Sequence, residues 1–314
     1  MLSLFYKILQ FTKQKTTIIF FLGMIAGIFI VSQLAFRGDG KNKASNDNEQ
    51  IAPPKLYLPQ VPDTISFAGE KVPLEKTEVT EAFDRELMYN YNSRGQLTLL
   101  LKLSQRYFPM IENKLKENNV PVDFKYLCVA ESNLQNLTSS VGAKGYWQFM
   151  KDTGPGFGLE INANVDERYD MEKSTEAACK YLKLAFSKFG NWTAAAASYN
   201  CGMARYDDLS TFQQTKFYYD LLLPEETNRY IFRILSFKYL MENAKEFGYL
   251  INESNGYQPR KTKTVTVSTS IPDLSQWALN NGTNFKMLKI LNPWLRERSL
   301  TVKQGKNYII KLPQ

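Results

Sequence analysis

From about residue 80 to residue 250 apolar side chains recur at intervals of three and four, and no run alternates apolar with polar residues as a sheet would require. A set of packed amphipathic helices is the fold class this pattern allows. Leu100, Leu103, Tyr107, Met110, Ile111 and Leu115 lay one stripe along a helix expected over Gln96 to Asn118, which Asn119-Val120-Pro121 ends. The next helix is expected from Pro121-Val122-Asp123. On it Phe124, Leu127, Cys128 and Glu131 stand at i, i+3, i+4 and i+7, so an acid shares the apolar face at the C-terminal end. Burial and the negative pole of the helix both disfavour the carboxylate form there and raise the pKa. That is the condition of a general acid that stays protonated near neutral pH. Spacing alone is met as well by an end-of-helix glutamate that rotates out to water.

Composition narrows the chemistry. The 314 residues, 44% of them hydrophobic, have room for one domain of ~150–200 residues with smaller attachments. Thirty-nine Lys and Arg against 31 Asp and Glu leave a net charge of +8, which suits an anionic polymer or a membrane surface without selecting one. Nucleic acid is allowed by that charge and indicated by nothing else. With no histidine in the chain, hydrolases with a His base and most zinc enzymes are excluded, and acid/base work falls to carboxylates, Lys or Tyr. Cys128, Cys179 and Cys201 form neither a CxxC pair nor a metal spacing and read as buried free thiols, with one bridge still open to an oxidising compartment.

Thr16 to Phe36 carries no charge and is long enough to cross ~30 Å of hydrocarbon as a helix. Lys7, Lys13 and Lys15 precede it, while Arg37 and Lys41 flank Asp39 after it. The cation bias places the N-terminus in the cytoplasm and the rest of the chain outside. A cleaved signal peptide is the competing reading; the cleavage pattern near Leu34-Ala35-Phe36 is poor and the apolar run long for one. Residues 37–60, rich in Asn, Lys, Asp, Gly and Pro, read as a solvated tether.

Several motifs follow Glu131-Ser132 in order. They are Gly142-Ala143-Lys144-Gly145-Tyr146-Trp147-Gln148-Phe149-Met150, Val165-Asp166-Glu167-Arg168, Ser174-Thr175-Glu176-Ala177-Ala178, Ala197-Ser198-Tyr199-Asn200-Cys201-Gly202 and Leu223-Pro224-Glu225-Glu226-Thr227-Asn228-Arg229-Tyr230. Together they resemble the soluble-lytic-transglycosylase-like family over roughly residues 80 to 250. The resemblance implies a mainly α, lysozyme-like catalytic domain acting on peptidoglycan between N-acetylmuramic acid (MurNAc) and N-acetylglucosamine (GlcNAc), with no metal and no organic cofactor. It implies that Glu131 carries out both proton transfers and that the muramyl 6-hydroxyl replaces water, leaving 1,6-anhydro ends. Assistance from the substrate's N-acetyl group would account for the lack of a second carboxylate at nucleophile distance.

The same resemblance marks Ser139, Gly142, Gln148, Tyr199, Asn200, Glu226 and Tyr230 as substrate-binding candidates. Each has a plainer structural reading. Gly142 and Gly145 suit a tight turn, Trp147 suits a core, and Asn191 with the alanines after it makes a capped, closely packed helix. Pro224-Glu225-Glu226 is an ordinary helix start. Ser139 is chosen by counting back from Gly142-Ala143; counting forward from Glu131 selects Ser140. Glu226 is the carboxylate to weigh as a second acid.

Asn252 to Lys263 reads as a polar linker. After it come strand-like Thr264-Val265-Thr266-Val267, helical patterns at Leu274-Trp277-Ala278 and Phe285-Leu288-Ile290-Leu291, and strand-like Tyr308 to Leu312. This βααβ order resembles a degenerate LysM module, a glycan-binding unit, with Ser270-Ile271-Pro272-Asp273 in place of the usual Gly-Asp-Thr turn. A packing or spacer role is the other reading of it. The expected organisation is a cytoplasmic segment 1–15, a transmembrane helix 16–36, a tether 37–79, a catalytic domain 80–250, a linker 251–263 and an α+β module 264–314. The chain is then a single-pass inner-membrane protein with its catalytic domain in the periplasm, and peptidoglycan and the membrane are its expected partners. Cell-wall synthesis or division proteins remain unassigned. A hydrolytic lysozyme or chitinase and an inactive wall-binding scaffold are the competing functions.

Overall fold

The computed structural model describes residues 58–314. The expected cytoplasmic segment, the spanning helix over 16–36 and the tether as far as residue 57 lie outside the described residues. Among the described residues no helix is long and apolar enough to cross a membrane.

Helices dominate, as the three-four periodicity requires. The chain opens with a two-residue β-hairpin, β1 (Ser66–Phe67) and β2 (Glu70–Lys71), then runs through α1 (Thr77–Asn92), α2 (Arg94–Glu117), α3 (Phe124–Ser132), α4 (Met171–Phe189), α5 (Trp192–Cys201), α6 (Met203–Phe212) and α7 (Glu225–Glu242). On α2, Leu97, Leu100, Leu101, Leu103, Ile111 and Leu115 are buried, and the helix continues through Pro109. It stops where Asn119 turns left-handed (φ 55°) ahead of Pro121. The short α3 ends in two left-handed residues, Asn133 (φ 53°) and Leu134 (φ 55°), so Glu131 stands in its last turn.

Caps punctuate the rest. The Asp170 carboxylate accepts from the Lys173 N–H at 3.0 Å to start α4, and the Asn191 side chain accepts from the Ala194 N–H at 2.7 Å to start α5. Ala194, Ala195, Ala196 and Ala197 are fully buried, which lets α5 thread between α4, α6 and α7. Helix α7 packs on α1 and α3 and brings Tyr230, Ile231, Ile234 and Leu235 to the core.

The folded domain begins earlier than residue 80. Phe67 and Val72 are buried in the same core as α3, and Phe67 meets Phe124 edge to face at 5.1 Å. The Ala68 N–H donates to Asp123 at 2.8 Å. Glu70 receives the Trp192 N–H (2.6 Å), the Thr193 N–H (2.9 Å) and the Thr193 hydroxyl (2.6 Å), so the hairpin supplies an acidic cap to α5 from far away in sequence. Residues 66–79 are therefore not tether. Four isolated apolar residues, Ile65, Phe67, Val72 and Leu74, form no periodic pattern, and only their packing reveals them.

A second, smaller core belongs to the C-terminal module. Strands β3 (Thr262–Val267) and β4 (Tyr308–Pro313) pair antiparallel with Val265 opposite Ile310, and α8 (Leu274–Asn280) and α9 (Phe285–Leu291) lie between them in sequence. Leu274, Ala278, Leu288, Ile310 and Leu312 fill it, and Trp294 stacks on Tyr308 at 5.6 Å. The expected linker is itself packed: the Tyr257 N–H donates to the Lys102 carbonyl (3.0 Å) and Arg106 Nε to the Gln258 carbonyl (3.1 Å) on α2. All three cysteines are free thiols, Cys128 and Cys179 buried and Cys201 half-buried.

Glu70→Ala removes the acceptor from three donors at the start of α5. The expected cost is about 2 kcal/mol, read as a lower midpoint in thermal or urea unfolding, with Glu75→Ala, in an exposed pair on the same segment, leaving the midpoint unchanged.

Candidate active site

Glu131 is held by α3 at the edge of the core. The helix buries Phe124, Leu127 and Cys128 on the same face, which draws the carboxyl group inward while the residue keeps partial exposure. The Tyr230 hydroxyl, presented by α7 and buried, donates to Glu131 Oε1. Desolvation pushes the Glu131 pKa up to about 7. The Tyr230 hydrogen bond and the Arg233 cation pull against that rise, and the Glu226 carboxylate adds to it. In return the Glu131 charge, on top of burial, drives the Tyr230 and Tyr199 phenols well above their ordinary range. A carboxyl poised between its two forms near neutrality, beside two phenols that stay protonated, can give a proton and take one back.

Tyr199 and Asn200 arrive from the last turn of α5. The Tyr199 hydroxyl donates to the Trp147 carbonyl at 2.8 Å, and its ring packs edge-on against Trp147 and Phe149. Asn200 accepts from the Thr227 hydroxyl at 2.8 Å, joining the end of α5 to the first turn of α7. Glu226, next to Thr227, is exposed and acts on Glu131 as a nearby negative charge rather than as a hydrogen-bond partner.

The loop after α3 holds the remaining candidates; the side chains of Ser139 and Gln148 bond within it, and the Gly142 carbonyl accepts from Arg168 at 3.5 Å. The Ser139 hydroxyl accepts from the Ala143 N–H at 3.0 Å while the Ser139 N–H donates to the Ala143 carbonyl at 2.9 Å. That closes a turn with Gly142 left-handed at φ 87°. Ser140 is exposed. Gln148, also left-handed (φ 49°), donates its amide to the Gly145 carbonyl at 2.6 Å and the Leu137 carbonyl at 3.3 Å. The loop is tied to α3 by the Ser132 hydroxyl, which donates to the Tyr146 carbonyl at 2.7 Å. Trp147 is fully buried, with its indole N–H donating to Thr175 at 2.9 Å, and serves the core.

Beneath the loop lies a buried ion pair. Arg168 binds Asp166 through Nη2 (2.7 Å) and Nε (2.9 Å) and donates to the Phe149 carbonyl at 3.3 Å. The chain passes so close here that a Cβ on Gly145 would sit 1.8 Å from the Arg168 carbonyl oxygen.

Two residues of this region escape a motif reading. Arg233, one turn beyond Tyr230 on α7, is a cation that acts on Glu131, and Glu86 on α1 is buried among Arg229 (2.6 Å), Arg85 (3.7 Å) and Arg233 (3.9 Å). Helical spacing from Tyr230 points to Arg233. Nothing local marks Glu86 as buried, because Arg229 and Arg233, which meet it there, lie some 140 residues away.

Two consequences are measurable. Gly145→Ala, at φ 82° and against a backbone carbonyl, is expected to cost about 3 kcal/mol or more in unfolding experiments. Gly142→Ala, at φ 87° with open space around it, is expected to cost about 1–2 kcal/mol. Glu131 favours its neutral form in the folded state, so its ionisation destabilises the fold as pH rises from the ordinary carboxylate range toward 7. Glu131→Gln keeps an acceptor for Tyr230 and is expected to leave stability unchanged near pH 4 while raising it by roughly 1–3 kcal/mol at pH 8.

Comparison with known proteins agrees with this geometry. Residues 108–219 match the family model of the Transglycosylase SLT domain, and residues 263–314 match that of the Soluble lytic transglycosylase C-terminal LysM-like domain. The membrane-bound lytic murein transglycosylase D of Escherichia coli strain K12 is 25% identical over 255 residues, covering 79% of this chain and 55% of that protein; the counterpart from strain CFT073 is equally similar. A putative tributyltin chloride resistance protein of Alteromonas sp. strain M-1 is 27% identical over 125 residues, 38% of this chain and 60% of that protein. The chain thus spans a little over half the length of the curated relatives it matches. It is similar to the transglycosylase SLT domain over residues 108–219, a stretch that includes α3 and the loop after it, and to the LysM-like domain of soluble lytic transglycosylases over residues 263–314.

Proposed function

We propose that the chain is a peptidoglycan lytic transglycosylase that cleaves the β-1,4 bond between MurNAc and GlcNAc with Glu131 as its acid and base. The observation that carries this reading is a desolvated carboxyl, Glu131, with its pKa raised to about 7, hydrogen-bonded to a buried tyrosine and lying inside the stretch that matches the transglycosylase domain. The name of the Escherichia coli relative, a lytic murein transglycosylase, supports the same substrate.

The chemistry follows from one titrating group. Neutral Glu131 gives its proton to the glycosidic oxygen, and the bond from that oxygen to the muramyl C1 breaks with the substrate's N-acetyl oxygen stabilising C1. The carboxylate so formed takes the proton of the muramyl 6-hydroxyl, whose oxygen closes on C1 as the 1,6-anhydro ring, and Glu131 ends as it began. Tyr230 steadies the ionised stage by donating to it. Gln148, Ser139 and Gly142 supply the loop side of the sugar site, and Tyr199, Asn200 and Glu226 the opposite side. The run from Thr16 to Phe36 anchors the protein in the inner membrane with the catalytic domain in the periplasm, a placement supported by its flanking lysines and by the relative's description as membrane-bound.

Hydrolysis by the same acid with water as acceptor is the alternative that product analysis separates. Digestion of purified sacculi is expected to release anhydro-muropeptides; reducing-end products alone would overturn the proposal. Glu131→Gln is expected to lower the rate at least about 10³-fold with the fold intact. Since the free enzyme must hold a proton on Glu131, kcat/KM is expected to fall above about pH 7. Tyr230→Phe removes a bond that favours the carboxylate, so that limb is expected to move to higher pH while the rate drops about tenfold.

A further inference from the structure

The C-terminal module grips the helical domain through more than its linker. Residues 160–169 leave the helical domain as a narrow hairpin: Ile161 bridges Asp166, the Glu167 N–H donates to the Glu160 carbonyl (2.9 Å), and the Glu160 N–H donates to the Glu167 carboxylate (2.8 Å). The hairpin tip enters the module. Val165 is fully buried in the module's core and bridges Leu295, the Asp166 N–H donates to the Trp294 carbonyl (2.9 Å), and the Arg296 N–H donates to the Asn164 carbonyl (2.8 Å). Side chains add to this hold. Lys306 pairs with Glu160, the Tyr308 hydroxyl donates to Glu160 at 2.9 Å, and the Arg296 guanidinium lies 3.9 Å from the centre of the Tyr169 ring.

The base of the same hairpin supports the loop that follows Glu131. Asn136 donates its amide to the Tyr169 carbonyl (3.0 Å), the Thr138 and Tyr169 hydroxyls share a hydrogen bond (3.1 Å), and Arg168 holds the Phe149 carbonyl from below. That loop contains Gly142, Gly145 and Gln148, all left-handed. The glycines take such angles freely, whereas at Gln148 a left-handed backbone persists only where its surroundings over-determine it. Tyr169 is the residue that touches both parties, Arg296 of the module on its ring and the loop on its hydroxyl and carbonyl.

We propose that the LysM-like module is a positioning element of the active site: through Val165 and Tyr169 it holds the 136–149 loop in register with Glu131. Its effect on cleavage rests on the transglycosylase reading, whereas its effect on loop order does not. A module so placed acts on turnover, and a module that only holds glycan acts on substrate affinity.

The test uses the full chain with Arg296→Ala and Lys306→Ala combined, and separately Tyr169→Phe, which keeps the ring under Arg296 and loses the Thr138 bond. The double variant is expected to speed hydrogen exchange about tenfold at the Lys144 and Gly145 amides, which donate within the loop, and to lower kcat about tenfold on soluble glycan strands with KM changed less than about twofold. Tyr169→Phe is expected to speed exchange at the loop but not at Asp166 or Arg296, and Lys306→Arg to behave as the parent chain. Faster exchange at Asp166 and Arg296 with the loop amides unchanged would overturn the proposal, as would a loss confined to KM on long strands. If the parent chain cleaves no peptidoglycan, the proposed function falls, and loop exchange alone decides the positioning role.

Discussion

The hydrogen bond from the Tyr230 hydroxyl to Glu131 is the contact around which the site is built. It joins the last turn of α3 to the buried face of α7, two helices far apart in the chain. It also resolves a conflict that burial creates. A carboxyl removed from water loses much of its hydration when charged, and one donor of matched geometry restores enough to let both protonation states exist near neutral pH. Arg233 and Glu226, on the same helix, adjust that balance in opposite directions. Helix α7 therefore acts as the electrical setting of an acid that another helix presents.

The loop after α3 meets a different demand. It must approach closely and turn sharply, and it does so with glycines at left-handed angles over a buried Asp166–Arg168 pair that satisfies its carbonyls. A buried ion pair is a poor source of net stability. Here the guanidinium spans two backbone segments and gives one conformation an advantage over its neighbours. Small residues repeat the theme on α5, where four buried alanines bring Tyr199 and Asn200 to the site by letting the helix run close to its neighbours.

The two cores differ in what they can do alone. The helical domain closes its own core, drawing in the hairpin at Phe67 and capping α5 with Glu70. The module has a small core to which the helical domain contributes Val165. With so little apolar surface of its own to bury, the module gains from fusion to the larger domain, and the hairpin that joins them is also the floor of the site loop.

Much of this was legible in the chain. Periodicity announced the helices, Asn191 and Pro224 their starts, Glu131 its apolar face, and the order strand, helix, helix, strand the module. These are local properties, set by neighbours within a turn or two, and one sequence records them. What the tertiary structure alone decided are relations between distant residues. Phe67 and Val72 join the core that the tether boundary at residue 79 excluded, Glu86 finds its arginines, Gln148 spends its amide on its own loop, and Val165 belongs to the far module. The sequence by itself singled out Glu131 as a candidate acid on an apolar helix face; only the folded chain determined that this carboxyl would be desolvated, met by Tyr230 and held near neutrality, because desolvation and hydrogen bonding depend on groups brought together from distant parts of the chain.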